Sequence, residues 1–303
     1  MQEDLLSQIN LNFSPESLIV LNIILGFVMF GVALELKMQH FKELIRAPKS
    51  YLVGLNSQFI LLPGITFILI LILDPSPGLA LGMILVSACP GGNISNFFSS
   101  LSKVNIALSV SLTAVSTLLA TIMTPLNFSL WAGLYLGTKN ATESISLNPS
   151  DLFLNILLLL GLPVALGMYF SSRFPQITSK ILNPIKKASM VIFILFVIVA
   201  FSNNYEIFID YIQLVIVVVF LHNSIAIITG YYYGKILGLS TIDSRTIAIE
   251  TGIQNSGLGL IIIFTFMEGN GSMAIVAAWW GIWHIIIGFF LAFLWSKPIS
   301  TYA

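Results

Sequence analysis

Two polar, glycine-bearing interruptions inside long apolar runs constrain this chain more than any other feature. The first is Cys89-Pro90-Gly91-Gly92-Asn93-Ile94-Ser95-Asn96, and the second is Glu250-Thr251-Gly252-Ile253-Gln254-Asn255-Ser256-Gly257. Each breaks a stretch that is otherwise long enough to cross a bilayer. Backbone interrupted by glycine or proline at that depth is tolerated only where its freed N–H and C=O groups meet protein, a cavity or an ion. A carboxylate there is costly, which makes Glu250 a functional candidate on physical grounds alone.

The rest of the chain supports a membrane setting. Hydrophobic residues make up 57% of it and charged residues 9%, with a mean hydropathy of +0.95. Soluble domains carry about 25% charged residues, so the chain is expected to be an all-α integral membrane protein in a lipid bilayer. The formal net charge is zero, which removes the basic footprint that nucleic-acid binding needs. Cys89 is the single cysteine, leaving neither a disulfide framework nor a thiolate metal cluster. His40, His222 and His284 fall in separate segments without metal-ligand spacing. No protein partner is implied.

A spanning helix needs roughly 20 mostly apolar residues. That length predicts nine spans, at about 17–37, 50–73, 77–101, 104–137, 151–172, 183–203, 208–235, 243–267 and 272–296. The first is expected to stay as a membrane helix, because it lacks a basic leader and ends at Lys37. The fourth exceeds one span, so Pro125 is expected to kink it, with 126–137 running on at the surface. Twelve of the 13 basic residues fall on one side of this arrangement, against Lys139 alone on the other. By the positive-inside rule the N-terminus is outside and the C-terminus cytoplasmic, in a cell inner (plasma) membrane. Glu35 sits at a cytoplasmic end; Glu250 is the acidic residue that does not lie at a helix end or in a loop.

Aligning Asn96 with Asn255, 159 residues apart, places the third and eighth spans as inverted equivalents. Inverted repeats with broken helices at mid-membrane are a secondary-transporter architecture. Half-helices starting after Asn96 and Asn255 would present unpaired N–H groups to an anion. The halves before the breaks would present carbonyl oxygens to a cation. Hard cations take oxygen ligands, and the neighbourhood offers carboxylate, amide and hydroxyl oxygens, which favours sodium over a transition metal. Ser109 and Thr113 share one face of the fourth span.

The runs Pro90-Gly91-Gly92-x-x-Ser95-Asn96 and Glu250-x-Gly252-x-Gln254-Asn255-Ser256-Gly257, with Gln58-Phe59 followed by Pro63, Ser109–Thr113 and His222-Asn223, resemble the bile acid:sodium symporter family. The resemblance covers about Leu18 to Trp295. It implies the nine-helix version of that fold, with a core bundle (about 50–137 and 208–296) and a moving panel (about 17–37 and 151–203). It implies two sodium sites: one of Ser95, Asn96, Ser109, Thr113 and Glu250, the other of Gln58, Glu250, Gln254 and the carbonyls of Thr251 and Ile253. It also implies substrate contacts at Asn93, Asn255 and His284. Ile285 stands where bacterial relatives have asparagine, and Asn93 where threonine is common. A smaller carboxylate, pantoate-like or a keto acid, is therefore an alternative to a bile acid.

Plainer roles stand beside these. Glu250 could be a structural residue bonded to neighbouring helices. Gly91, Gly92 and Gly252 could serve close helix packing, and Asn93, Asn96 and Asn255 interhelical hydrogen bonding. Ser109 and Thr113 could bond back to their own helix. His222 and His284 could be satisfied core residues. Trp279, Trp280 and Trp283 suit an interfacial belt, with Trp283 also a candidate cavity wall. Three rival functions also remain. One is a proton-coupled antiporter using Glu250; the second is an intramembrane serine hydrolase using Ser256 and His284, without nucleophile-elbow spacing. The third is a channel, which lacks repeated charged or carbonyl-rich loops.

Overall fold

A computed structural model describes residues 15–34, 36, 45, 48–139, 149–203, 205–267 and 269–296. Glu35 and, of the basic residues that set the orientation, Lys37, Lys42, Arg46 and Lys297 lie outside them. The described chain is helical, with no strand among the described residues. In order the helices are α1 (Pro15–Leu34), α2 (Pro48–Leu73), α3 (Pro77–Ala88), α4 (Ile94–Leu101), α5 (Ile106–Lys139) and α6 (Pro149–Arg173). They continue with α7 (Pro175–Asn203), α8 (Tyr205–Ile236), α9 (Thr241–Gly252), α10 (Ser256–Phe266) and α11 (Gly271–Trp295).

The starts of these helices follow from local chemistry. Five begin with proline (Pro15, Pro48, Pro77, Pro149, Pro175), whose missing N–H is harmless in the first turn and whose φ is already helical. Three others are capped by a side chain that accepts from a first-turn N–H: Ser240 from Asp243, Asn255 from Leu258 and Asn270 from Met273. Helix α2 contains a π-turn at Ser57–Leu61. Pro63 lies just beyond it and has no N–H for the carbonyl of Phe59, which explains a wider turn here. The π-turn carries Gln58 and Ser57, both buried.

Five described helices or parts of helices are long and apolar enough to cross a membrane alone: Pro48–Leu73, Ile106–Thr138, Ile156–Arg173, Val215–Ile236 and Gly271–Trp295. Two apolar helices, α3 and α10, are too short, and each adjoins one interruption. Both are buried on all sides, from Gly78 to Ala88 and from Ser256 to Phe264, as expected for rods that are hydrophobic all round. The main core joins them to α11, the far half of α5, and α1 and α6. Large apolar side chains such as Ile72, Leu130, Leu162, Val217 and Phe293 are exposed around the outside, as a lipid-facing surface requires.

Helices α1, α6 and α7 pack together; α6 also lies along α5, and α1 touches α10. Helices α8 and α9 pack closely. A Cβ on Gly230 would come within 2.9 Å of the Ala248 backbone, so only glycine permits that approach. The structure corrects one expectation. Helix α5 continues through Pro125, and Phe128, Ala132, Tyr135 and Leu136 beyond it are buried in the core rather than at the surface. Their spacing of three to four residues makes one apolar stripe, which α6 and the main cluster cover.

Candidate functional site

The two interruptions meet. Gly91 and Gln254 form an isolated antiparallel bridge. Gly92 N–H donates to the Ile253 carbonyl at 2.9 Å, and Asn255 N–H to the Pro90 carbonyl at 2.8 Å. Unwound backbone at the centre of the bundle is thereby paired with itself, which satisfies the demand for partners away from water. The two interruptions run antiparallel here, with Gly91 opposite Gln254. Helix α4 starts at Ile94, so Asn96 lies inside its first turn instead of preceding it.

Glu250, in the last turn of α9, is 2% exposed. Its Oε1 accepts from Ser95 Oγ at 2.6 Å and Ser109 Oγ at 2.5 Å, and its Oε2 from Thr113 Oγ1 at 2.9 Å. Asn96 Oδ1 lies 2.9 Å from Ser109 Oγ and 3.2 Å from Thr113 Oγ1. Ser95 Oγ is 3.3 Å from Thr113 Oγ1. Six side-chain oxygens from α4, α5 and α9 thus share the three protons of Ser95, Ser109 and Thr113. Each hydroxyl has one proton to give, so the cluster holds more lone pairs than donors. An excess of oxygen lone pairs around one carboxylate is the donor set of a hard cation. Ser109 and Thr113 point across to these partners, not back to their own helix carbonyls. Among the described residues no three His, Cys, Asp or Glu side chains converge.

A second polar cluster lies on the other side of Gly91. Gln58 Nε2 donates to Gln254 Oε1 at 3.1 Å and, more weakly, to the Cys89 carbonyl at 3.4 Å. Gln254 Nε2 donates to the Thr251 carbonyl at 2.7 Å. Ser57 Oγ and Thr251 Oγ1 are 2.9 Å apart, and Asn223 Nδ2 reaches the Gly252 carbonyl at 2.7 Å. The Ile253 carbonyl already accepts from Gly92, leaving its second lone pair free. A Cβ at Gly91 would stand 2.9 Å from Glu250 Oε2 and 3.6 Å from both amide atoms of Gln58. Gly91 is therefore the thin wall between the clusters.

The three residues expected at the substrate are placed differently from one another. Asn93 is exposed at the start of α4 and makes no cap bond to that helix. Asn255 caps α10 through Oδ1. His284 is buried on α11, and its Nδ1 has no partner among the described residues. It lies on the same helix face as Gly281, whose neighbour is Ser256, and Gly288, whose neighbour is Phe98. His222 bonds to Thr66 through Nε2 at 2.7 Å and meets Trp280 edge-on, as a core residue would. Sequence reasoning missed Ser57, the Thr251 hydroxyl and the wall role of Gly91. Pro63 just past Gln58 was the available sign of a wider turn there.

An apolar helical bundle with a carboxylate and two broken helices at its centre is the architecture of an integral membrane transporter. Residues 22–211 match the Sodium Bile acid symporter family. The chain is 34% identical over 280 residues to "Uncharacterized sodium-dependent transporter YocS" of Bacillus subtilis, covering 92% of this chain and 84% of that one. It is 32% identical to "Probable sodium/metabolite cotransporter BASS1, chloroplastic" of Arabidopsis thaliana, covering 90% and 66%. It is 30% identical to the human "Ileal sodium/bile acid cotransporter", covering 80% and 68%. The chain belongs to the sodium bile acid symporter family and is a sodium-dependent transporter, not an enzyme.

Proposed function

We propose that the protein couples sodium entry to uptake of a small organic anion by alternating access. The observation that carries this reading is the set of six oxygens with three protons around Glu250. One sodium ion takes Ser95, Asn96, Ser109, Thr113 and Glu250 as ligands. A second takes Gln58, Gln254, Glu250 and the carbonyls of Thr251 and Ile253. Both ions brace the paired interruptions, which hold the first turns of α4 and α10 beside each other. The substrate carboxylate then sits near Asn93, Asn255 and His284, against those helix N-termini. A bile acid is one candidate; a pantoate-like or keto acid is the smaller alternative.

The bundle reads as nine spans in two inverted repeats, with the N-terminus outside the plasma membrane. Helices α2–α5 and α8–α11 form the core that holds the site, and α1, α6 and α7 form the panel that rocks against it. Two sodium ions with a monovalent anion move one net charge, worth about 2.3 kcal/mol per 100 mV. Proteoliposomes with an inward sodium gradient should accumulate the substrate, and an inside-negative potential should raise uptake. The substrate is found by a thermal-shift screen of organic acids in sodium and in potassium. Uptake driven by a proton gradient without sodium would replace this reading with proton coupling through Glu250.

A further inference from the structure

We propose that Arg245 binds the phosphate of an acidic phospholipid headgroup at the end of the bundle that carries Lys49, Lys103 and Lys235. The Arg245 guanidinium lies over the Trp295 ring, 5.4 Å from its centroid. Trp295 in turn stacks on Tyr231 at 6.3 Å and 27°, and Tyr231 meets Tyr232 edge-on at 5.3 Å. Stacking pins the guanidinium plane and leaves its N–H edge as the free recognition surface. Its Nε is buried under that stack and has no hydrogen-bond partner among the described residues. Arginine cannot shed this proton, and a buried donor without an acceptor is costly. Arg245 as a whole is only half-buried, so an anionic acceptor from outside the chain meets the guanidinium at its accessible N–H groups, where charge-assisted hydrogen bonds are strongest.

The position selects a lipid over a soluble anion. Arg245 lies in the second turn of α9, Trp295 ends α11, and Tyr231 and Tyr232 lie in the last two turns of α8. Three helix ends thus gather tryptophan, tyrosine and arginine at one level, the composition of a membrane–water interface. Along the last turns of the neighbouring helices, Phe289, Phe290, Phe293, Leu294, Tyr232 and Ile236 are exposed. These offer acyl chains an apolar surface leading to the guanidinium. Lys49, Lys103 and Lys235 are exposed at the same end and add attraction for anionic lipid. The nearby acid, Asp243, is already engaged: its oxygens accept from Ser50 at 3.0 Å and Asn105 at 2.8 Å. The site is separate from the sodium ligands and stands or falls without them.

The test is lipid binding to the purified full chain in neutral detergent, read by native mass spectrometry and thermal unfolding. Phosphatidylglycerol should bind at least fivefold more tightly than phosphatidylcholine. Arg245→Lys keeps the charge and loses the planar fork, so phosphatidylglycerol affinity should fall several-fold; Arg245→Gln should abolish the preference. Lys235→Gln should leave it within twofold. Unchanged phosphatidylglycerol affinity in Arg245→Lys would overturn the proposal, as would an equal loss in Lys235→Gln, which would indicate diffuse charge. Inorganic phosphate protecting as well as the lipid would assign the site to a soluble anion and overturn it too. Where Arg245→Gln does not purify as one species, Arg245→Lys decides.

Discussion

Glu250→Gln separates the ion-binding role of this carboxylate from any role in folding. The substitution preserves shape and removes the formal charge. Three hydrogen bonds to a charged acceptor are worth about 1.5–3 kcal/mol each, against about 0.5–1.5 for neutral ones. Their weakening is offset by relief from burying a charge, since Glu250 is 2% exposed and its three partners are neutral hydroxyls. The sodium-free variant should therefore unfold near the wild-type temperature. The contrast appears when sodium is added. An ion at 100 times its Kd stabilises the folded state by about 2.7 kcal/mol, or roughly 5–10 °C at the 2–4 °C per kcal/mol of chains somewhat smaller than this one. The variant should lose most of that shift and all sodium-driven uptake, with potassium as the control for both proteins. A sodium shift equal to wild type would refute the ion assignment. A large loss of stability without sodium would instead make Glu250 a structural residue.

Gln58→Ala touches only the second cluster and should lower the Hill coefficient of sodium-dependent uptake towards one, measured in proteoliposomes. Gly91→Ala places a methyl 2.9 Å from Glu250 Oε2; overpacking costs about 1–3 kcal/mol, and sodium-dependent stabilisation should fall at least tenfold in apparent affinity. Asp243→Ala leaves the donors of Ser50 and Asn105 unpaired and should cost about 1–3 kcal/mol. It should lower the unfolding temperature with and without sodium alike, unlike the ion-site variants.

Glu250 was legible because a carboxylate stands out against an apolar run, and the nearby hydroxyl and amide oxygens marked hard-cation chemistry. The residues that the resemblance grouped, Ser95, Asn96, Ser109 and Thr113, lie together with Glu250 in one hydrogen-bonded cluster. The start of α4 did not follow expectation. Asn96 was expected to precede its half-helix as Asn255 precedes α10, whereas α4 already starts at Ile94 with Asn93 at its cap position, because the backbone pairing of the interruptions ends at Gly92. Asn255 was read for the substrate, yet its Oδ1 also caps α10. The fate of 126–137 went wrong for a related reason: proline marks a local disturbance, but whether the helix beyond it is covered depends on what packs there.

Chain order alone determined that this protein lives in lipid, that its segments are helices, and where two of them must break. Those properties depend on runs of about 20 residues and on local backbone chemistry, both readable without knowing any distant contact. Tertiary structure alone decided that the breaks pair with each other, that Gly91 separates two polar clusters, and that six oxygens surround one acid. Each of these joins groups from 13 to 196 residues apart, and only the packing of the whole bundle determines which of them come within hydrogen-bonding distance.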